Sequence, residues 1–426
     1  MEDEQSSRAK LLLGEALPAA RSMIRYLSGS GYVIRISPAG EVRRMRETVE
    51  TIGIVASSSH PAKLVQQFCT YPDARRTLFR TTHGAAVVLK DGSRVDLRVV
   101  SDARYAPLLR YHTGSTGHNH ALEAYATGQG RLIRESGIID PITCRQVTFA
   151  EEHEIFEALS LPYIEPELRE DRGEIQAAAT GTLPDIVRYG DIRGDLHVHT
   201  RWSDGAHSIP ECADTAAGMG FDYIAICDHS RSVQFPHGLD ASGICDQIRE
   251  IEHLNRGRCD IRILAGIEAG IDATGNLDIA SPVLQDLDVV IASVHSSFRM
   301  SPEEMTGRIT RAMHCDAVDI IGHPTGRILF KRPGCSLDFV QVLKTARDTG
   351  VCLEINAHPR RLDLPDTLCR EAKGSGVIFS IGSDAHRKEN LWFTELGAAV
   401  ARRGWLESHE VANTLTGDDL IRLFKR

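Results

Sequence analysis

The sequence predicts an α/β protein with a C-terminal parallel β-barrel preceded by a smaller α+β unit. Between residues 193 and 381, seven short apolar runs alternate with helical patterns. Before residue 110, a helical pattern is followed by short strands and by a hairpin signal at Asp91-Gly92. Seven βα units at this spacing favour a closed or nearly closed barrel over an open sheet.

The front of the chain supplies the elements of the α+β unit. Residues 13–27 read as a helix that ends at the Ser28–Gly31 turn. Strands are expected at 32–36 and 51–56, and a hairpin is expected from 85–90 and 94–100. A helix followed by a small mixed sheet is a palm-like arrangement, which we assign to residues 1–110.

Two further segments separate this unit from the barrel. The pattern from 111 to 170 is helical and polar. Residues 171–192 read as a linker because turn-forming residues recur there: Gly173, Gly181, Pro184 and Gly190. The barrel is assigned to residues 193–426.

Each barrel strand is predicted from one apolar run, and helical patterns lie between most of them. The runs lie near 193–197, 223–227, 261–266, 288–294, 318–322, 351–355 and 377–381. The clearest helical patterns are 210–219, 245–254, 302–314 and 337–349. In such barrels the chemistry is carried at the carboxyl ends of the strands.

The charge distribution indicates possible binding partners, and the cysteine content indicates the cellular compartment. The net charge is −9, yet residues 1–110 hold 17 basic against 11 acidic residues. This asymmetry fits a front that contacts a polyanion and a body whose carboxylates hold cations, although ordinary surface scatter explains it equally well. The ten cysteines form no CxxC motif and the N-terminal residues are hydrophilic. We therefore expect a reduced, soluble, cytoplasmic protein without a membrane partner.

Histidines and carboxylates recur where the apolar runs end. A single apolar residue separates His197 from His199, so both imidazoles lie on one face of a strand. Similar residues follow the later runs, and together they predict a polymetal site at one end of the barrel. Nitrogen and oxygen ligands without cysteine suit zinc, manganese or iron. The nine candidate ligands are His197, His199, Asp204, His229, Glu268, His295, His323, Asp384 and His386.

Several of these segments carry a family resemblance. Residues 194–205, 227–230, 321–327, 354–366 and 381–386 resemble the PHP (polymerase and histidinol phosphatase) domain. More narrowly, the chain resembles bacterial family X DNA polymerases with a C-terminal PHP domain. Residues 40–49 are similar to that family's palm motif and 111–115 to its thumb-edge motif, with further similarity at 117–122 and 166–169. The resemblance implies a PHP barrel of (βα)7 type behind a nucleotidyltransferase-like palm and a thumb-like region.

The palm motif departs from the family pattern at its metal-binding positions. Thr51 and Gly53 stand where the family has two aspartates, and only Asp96 on the partner strand remains. Glu50 is expected to face away by strand parity. Glu41 replaces a serine that helps to bind the incoming triphosphate, which sets a negative charge against phosphate. Because one carboxylate cannot hold two metals, and because the family's DNA-end-binding and fingers domains are missing from this sequence, we expect polymerase activity to be lost.

The resemblance also implies which residues bind metal. His197, His199, Glu268 and Asp384 would hold a first ion, and Glu268 would bridge to a second ion held by His295 and His323. Asp204, His229 and His386 would hold a third. The cofactors expected are three divalent ions, manganese or zinc, with iron as a further option. Asp204 and His229 are also catalytic candidates.

Residues around the ligands receive weaker assignments. Arg327 is a candidate for neutralising transition-state charge, with a barrel-end ion pair as the alternative; Arg361 is a weaker candidate. Asp228 is expected to orient His229 or to bond locally.

Three functions remain open from the sequence. The resemblance implies trimming of DNA 3′ ends by a 3′–5′ exonuclease, with 3′-phosphatase or abasic-site cleavage as related repair activities. The alternatives are a small-molecule phosphatase of the histidinol-phosphate type and a non-catalytic DNA-end-binding protein. The expected partner is DNA with 3′ ends or gaps. The basic residues in the first 110 positions, called here the basic front, are expected to contact it, with an ordinary solvated surface as the alternative. The residues proposed to contact it are Arg43, Arg44, Thr113, Gly114 and Ser115, with Arg46, Arg75, Arg76 and Arg80 in the same basic front.

Overall fold

The computed structural model describes residues 10–139, 146–232, 234–279 and 282–425. Between Leu183 and Pro184 the chain divides into two compact units. The first part of the first unit contains β1 (Leu11–Leu12), α1 (Leu13–Ser28), β2 (Arg35–Ala39), α2 (Gly40–Arg43), β3 (Thr48–Val49), β4 (Ile52–Ser57), α3 (Pro61–Cys69), β5 (Ala74–Arg80), β6 (Gly84–Leu89) and β7 (Arg94–Val100).

These elements form the predicted mixed α+β unit. Five strands pair in the order β2-β4-β7-β6-β5, in which β4 and β7 run parallel and the other neighbours run antiparallel. Helix α1 buries Leu13, Leu17 and Leu27, because these apolar residues recur on one helical face. The hairpin prediction is confirmed: β6 and β7 flank the turn in which Gly92 adopts φ +92°.

Two sequence predictions for this sheet are wrong in detail. The strand predicted at 32–36 begins at Arg35, because Arg35 is the residue that pairs with Ser57 at the end of β4. Strand β5 was not predicted. Residues 75–80 are all exposed at the edge of the sheet, so β5 lacks the alternation that reveals a half-buried strand.

The second part of the first unit is mainly helical. It contains α4 (Tyr105–Thr113), α5 (Thr116–Gly128), β8 (Leu132–Arg134), β9 (Gly137–Ile139), α6 (Glu152–Glu157) and α7 (Glu174–Thr180), with 3-10 turns at Asp102–Arg104 and Pro166–Leu168. The predicted linker at 171–192 is thereby corrected. Helix α7 buries Ile175 and Ala178, and the buried Glu174 carboxylate contacts His118 at 2.7 Å. Packing therefore assigns residues 174–180 to the first unit.

The second unit supplies the predicted barrel. Its strands are β10 (Gly194–Val198), β11 (Tyr223–Ile226), β12 (Arg262–Gly270), β13 (Val289–Ser293), β14 (Ile320–Gly322), β15 (Cys352–Asn356) and β16 (Phe379–Gly382). They pair in sequence order and every pair is parallel. All seven apolar runs of the sequence therefore correspond to strands.

Helices connect or follow these strands. They are α8 (Ile209–Gly218), α9 (Ala241–Gly257), α10 (Pro302–Met313), α11 (Phe339–Thr349), α12 (Asp366–Ala372), α13 (Thr394–Arg403) and α14 (Gly417–Phe424), with 3-10 turns at Tyr189–Asp191, Pro282–Asp286, Lys388–Phe393, Ser408–Glu410 and Ala412–Thr414. Helix α10 begins with a capping box at Ser301 and Glu304, which satisfies its first backbone donors.

The first and last strands meet at their carboxyl ends. The Asp384 amide donates to the His197 carbonyl at 2.9 Å, and the His199 amide donates to the Ala385 carbonyl at 3.0 Å. The buried Asp195 carboxylate accepts bonds from the amides of His197 and Ser383. These bonds join β10 to the β16 end and give a nearly closed seven-stranded barrel.

Two apolar clusters stabilise the barrel. One contains strand residues such as Ile224 and Ile263 together with Ile209 and Ile251 of the flanking helices. The other gathers Leu196, Leu264 and Ile291 with Leu420 of the C-terminal helix. Among the described residues, no helix combines the length and the apolar character needed to cross a bilayer.

Candidate metal centre

All nine predicted ligands lie in or directly after barrel strands. His197 and Glu268 lie within β10 and β12, while the others follow the strand ends. Because the seven strands are parallel, these positions converge on one end of the barrel. Six of the nine are almost fully buried: His197, His199, His229, Glu268, His323 and Asp384.

One group lies where β10 meets the end of β16. His197, His199 and Asp384 present ligand atoms within 4.8 Å of one another. The Asp384 Oδ1 atom lies 3.3 Å from His199 Nε2. Glu268 Oε2 approaches the Nε2 atoms of His197 and His199 at 3.4 and 3.6 Å. These are the four residues that the resemblance assigns to a first ion.

Glu268 also contacts a second set of histidines. Its Oε1 atom lies 3.2 Å from His295 Nε2 and 3.1 Å from His323 Nε2. His229 Nδ1 lies 2.8 Å from Oε2 of the same carboxylate. The geometry therefore adds His229 to the residues expected around a second ion, and Glu268 is at the centre of both groups.

A third group lies closer to solvent. Asp204 Oδ2 lies 3.3 Å from His386 Nε2 and 3.7 Å from His229 Nε2. His199 also belongs to this set, since all four ligand atoms lie within 4.8 Å of one another. The half-exposed Asp204 gives this third group access to a substrate that approaches from solvent.

The donor atoms fit divalent metal ions. Apart from their approach to the carboxylates of Glu268 and Asp384, the buried ring nitrogens His197 Nε2, His199 Nε2 and His229 Nδ1 have no hydrogen-bond partner among the described residues. Buried polar atoms normally have partners, so these nitrogens are suited to coordinate a cation. Burial, followed by the nearby His386 and His229, lowers the pKa of His199 to about 3, which keeps its imidazole neutral. Burial acts to raise the pKa of Glu268, but the nearby His295, His229 and His197 lower it well below its ordinary value.

Glu354 ends the sixth apolar run of the sequence, but the sequence pattern gave it no role at the site. Its Oε1 atom lies 2.7 Å from His197 Nδ1, and its Oε2 atom accepts a bond from the His323 amide. This contact leaves His197 Nε2 directed at the ligands and fixes the ring orientation. A Cβ atom at Gly382 would lie 2.5 Å from Glu354 Oε1, so glycine is required beside this pair. The signal in the sequence was a carboxylate within the apolar run of β15.

Asp228 holds a turn instead of orienting His229. It accepts bonds from the amide and hydroxyl of Thr200 and from the Ser203 hydroxyl. Gln247 of α9 donates a further bond. The second expectation for Asp228, local bonding, thus agrees with the structure: its carboxylate positions the turn that ends at Asp204.

The two candidate arginines make different contacts in the structure. Arg327 donates from Nε to the Arg361 carbonyl at 2.8 Å and from Nη2 to the Leu362 carbonyl. These bonds use Arg327 to fasten two loops, so the geometry does not support it as the charge-neutralising group. Arg361 Nε instead lies 3.4 Å from Asp384 Oδ2 with its side chain 21% exposed. Arg361 was the weaker candidate in the sequence analysis. A position in a loop does not show in which direction its side chain points.

One aromatic residue near the ligands was also missed. The Phe235 ring stacks on His229 with ring centroids 3.4 Å apart and contacts His295 edge-on. Phe235 lies in the loop after β11, where the sequence gave no periodic signal.

Two of the four palm positions, Glu41 and Thr51, line a cavity of about 870 Å³ in the first unit. Glu50 lines the same cavity. Glu50 precedes β4, which begins at Ile52, so the strand parity used in the sequence argument does not apply to it; its exposed carboxylate pairs with Lys10 at 3.0 Å. Gly53 pairs with Asp96, as the sequence implied, but the Asp96 carboxylate is engaged by Arg94 at 2.6 and 2.8 Å.

The residues proposed to contact DNA are mostly engaged within the first unit. Arg43 pairs with Glu152 at 2.6 Å, and the buried Arg44 pairs with Glu170 at 2.9 Å. The Gly114 amide donates to Tyr111 and the Ser115 amide to Arg169. Thr113 is buried, and its hydroxyl bonds to Leu109. These bonds leave little freedom for phosphate contacts, whereas Arg75, Arg76 and Arg80 are exposed on β5.

Comparisons with known proteins agree with this architecture. Residues 108–170 match the family model described as DNA polymerase beta thumb, and residues 195–358 match the PHP domain. The DNA polymerase/3′-5′ exonuclease PolX of Bacillus subtilis is 36% identical over 416 residues, which cover 97% of this chain and 73% of that protein.

Other relatives match a smaller part of the chain. A "probable phosphatase" of Thermoanaerobacter sp. (strain X514) is 32% identical over 234 residues, which cover 52% of this chain and 91% of the relative. A "probable phosphatase" of Vibrio parahaemolyticus is 29% identical over 244 residues, which cover 53% of this chain and 91% of the relative.

Proposed function

The chain belongs to the bacterial family X DNA polymerases that carry a C-terminal PHP domain, and from this premise we propose that it is a metal-dependent phosphoesterase that trims DNA 3′ ends. The observation that carries the proposal is the convergence of nine histidines and carboxylates at the carboxyl end of the barrel. Removal of a 3′-phosphate and cleavage at abasic sites are related reactions of the same centre.

The ligand roles in this proposal follow the three groups. His197, His199, Glu268 and Asp384 would hold one ion, and Glu268, His295 and His323 would hold a second. Asp204, His229 and His386 would hold a third. When bound, divalent ions stabilise phosphate charge and lower the pKa of a coordinated water.

The protein's own groups position the substrate and the ligands. Glu354 fixes His197, Asp228 fixes the turn that carries Asp204, and Arg361 faces charge that develops on the phosphate. In the hydrolysis, the water oxygen bonds to phosphorus and gives up a proton, the bond between phosphorus and the 3′ oxygen breaks, and the leaving 3′ oxygen takes up a proton. The exposed Asp204 and its partner His229 are the candidates for moving protons to and from solvent.

We also propose that the palm has lost nucleotide transfer. Thr51 and Gly53 provide no carboxylate, and Asp96 is paired with Arg94. Glu41 adds negative charge to the cavity in which a triphosphate would be bound. On this basis the first unit serves DNA binding, and its exposed Arg75, Arg76 and Arg80 are better candidates for phosphate contacts than Arg43 and Arg44.

A small-molecule phosphatase remains the second candidate. It is favoured by relatives named as phosphatases that match little more than the barrel. The thumb match over residues 108–170 favours DNA, since a small phosphoester needs no such region.

One assay separates these functions. The purified chain with Mn²⁺ is given an end-labelled single-stranded oligonucleotide, a recessed duplex and p-nitrophenyl phosphate. We expect stepwise shortening from the 3′ end, and we expect His199→Ala and Asp384→Asn to abolish it while the circular dichroism spectrum is retained. Hydrolysis of the small ester without shortening of DNA would establish the phosphatase alternative. Near-wild-type turnover by either variant would refute the assignment of the first ion.

A further inference from the structure

An exposed aromatic side chain lies in the loop that follows the candidate ligand His323. Phe330 is 64% exposed, the highest value for any aromatic residue among the exposed large apolar side chains. No other ring stacks on it within the described residues. Its backbone adopts φ +62°, which is unfavourable for a bulky side chain. Burial therefore does not explain why a phenylalanine stands here.

Phe330 lies at the tip of a short hairpin, residues Ile328–Arg332, whose backbone is fixed by hydrogen bonds. Ile328 and Arg332 pair as an antiparallel bridge, with the Ile328 amide donating to the Arg332 carbonyl at 2.8 Å. The Arg332 guanidinium donates to the Gly326 carbonyl at 3.0 and 2.7 Å. It also stacks on Phe298 at 3.6 Å. A ring presented in this way loses little conformational entropy when it binds a partner.

The hairpin is connected directly to the metal ligands. It follows His323 by five residues, so Phe330 lies within ~25 Å of that ligand. The Leu329 amide donates to the Arg360 carbonyl at 2.7 Å, and the next residue, Arg361, contacts Asp384. A polynucleotide whose terminal phosphate occupies the centre therefore has its neighbouring nucleotides within reach of the hairpin.

The surroundings of the ring are basic. The loops at 323–338 and 357–365 contain five basic residues, Arg327, Lys331, Arg332, Arg360 and Arg361, against Asp338 and Asp363. Lys331 and Arg360 are both exposed, and the Arg360 carbonyl itself makes the contact between the two loops. An exposed aromatic ring among cations matches the composition of surfaces that bind single-stranded nucleic acid, where bases stack and phosphates pair.

We propose that Phe330 is a specificity-determining residue on which a base of single-stranded DNA stacks near the scissile phosphate, with Lys331 and Arg360 contacting the adjoining phosphates. The proposal rests on the proposed function, since it names how the same centre selects a polynucleotide. Base stacking tolerates any sequence because every base has an aromatic face. Stacking on Phe330 would therefore favour unpaired 3′ ends of any sequence.

The test compares Phe330 variants on two substrates with Mn²⁺. Phe330→Gly suits the positive φ and is expected to fold, and it should raise KM for a single-stranded oligonucleotide ~10-fold. Phe330→Tyr should keep the wild-type KM, while Phe330→Leu should resemble Phe330→Gly because leucine has no aromatic face. Turnover of p-nitrophenyl phosphate should not change in any variant. The matched control is Val340→Ala on α11, whose side chain is 71% exposed but lies outside the hairpin.

A modified substrate tests stacking itself. One 5,6-dihydrothymidine, whose puckered base stacks poorly, is moved stepwise from the 3′ end of the oligonucleotide. The wild type should lose affinity at one position, and Phe330→Gly should be insensitive there. Removing Lys331 or Arg360 should lower the salt slope of binding by ~0.7 per phosphate contact.

Two results would overturn the proposal, and a third would overturn the proposed function instead. An oligonucleotide KM within twofold of wild type for Phe330→Gly excludes a role for the ring. Wild-type KM for Phe330→Leu excludes stacking. If the wild type hydrolyses the small ester but no oligonucleotide, DNA trimming itself fails.

Discussion

At the residue scale, the candidate centre depends on contacts that orient ligands as much as on the ligands. His197 has one ring nitrogen against Glu354 and the other directed at Glu268. A carboxylate partner of this kind raises the basicity of a ligating histidine and fixes its tautomer. Asp384 is similarly placed between the His199 ring, the Asn356 amide and the Arg361 guanidinium.

Arg361 provides the residue-scale prediction. We expect Arg361→Met to lower kcat ~100-fold for an oligonucleotide, the magnitude typical of losing one charge-stabilising donor. KM should change less, because the group acts mainly on charge that develops in the transition state. The control is Arg387→Met, an exposed arginine in the loop that also carries His386.

Metal content has to be measured on the same preparations, because Arg361 contacts a candidate ligand. Wild-type kcat for Arg361→Met at full metal content would contradict the assigned role.

At the element scale, helix α6 connects the helical part of the first unit to α2 through the ion pairs of Glu152. Glu152 at its first position accepts bonds from Arg43, from the buried Arg169 and from the Tyr163 hydroxyl. Burial acts to raise the pKa of Glu152, but Arg169 and then Arg43 outweigh it and lower the pKa to about 2. The carboxylate therefore stabilises the folded state only while it is ionised.

This gives a prediction with a defined pH dependence. Because the folded pKa lies below the ordinary 4.5, the stabilisation is complete above pH 4.5 and is lost as the pH falls towards 2. Glu152→Gln should cost ~3 kcal/mol of unfolding free energy at pH 7, since it leaves two arginines without their carboxylate. Urea unfolding should show this difference shrinking below pH 4.5.

Glu157→Gln is the matched control, since Glu157 is exposed on the same helix and its loss should leave stability near that of the wild type. A difference between Glu152→Gln and the wild type that stays constant down to pH 3 would show that the ion pairs do not depend on ionised Glu152.

At the scale of the whole molecule, one chain combines a palm that keeps Asp96 but has Thr51 and Gly53 at two other motif positions with a barrel whose strand ends bring nine candidate ligands together. We expect no template-directed nucleotide addition from a preparation that hydrolyses phosphoesters. Restoring Thr51→Asp and Gly53→Asp should not rescue synthesis fully, because Glu41 still faces the cavity. A primer-extension assay with Mg²⁺ or Mn²⁺ tests this. Robust incorporation that survives substitution of Asp96 would refute our account of the palm.

The sequence by itself determined the barrel, its seven strands and the identity of the nine converging residues. It did so because parallel strands buried on both faces appear as continuous apolar runs, and because residues at their carboxyl ends converge on one edge whatever the details of packing. Helix α1 and the β6–β7 hairpin were equally accessible, since periodicity and turn chemistry are local properties.

Only the tertiary structure decided which side chains meet. Glu354 and His197 are 157 residues apart in sequence, and no local pattern relates them. The same holds for Arg43 with Glu152, for Asp228 with Gln247 and for Arg361 with Asp384. Side-chain direction in loops and the partner of a buried charge depend on long-range packing. For that reason the sequence identified the candidate ligands, and the fold was needed to find the groups that contact and orient them.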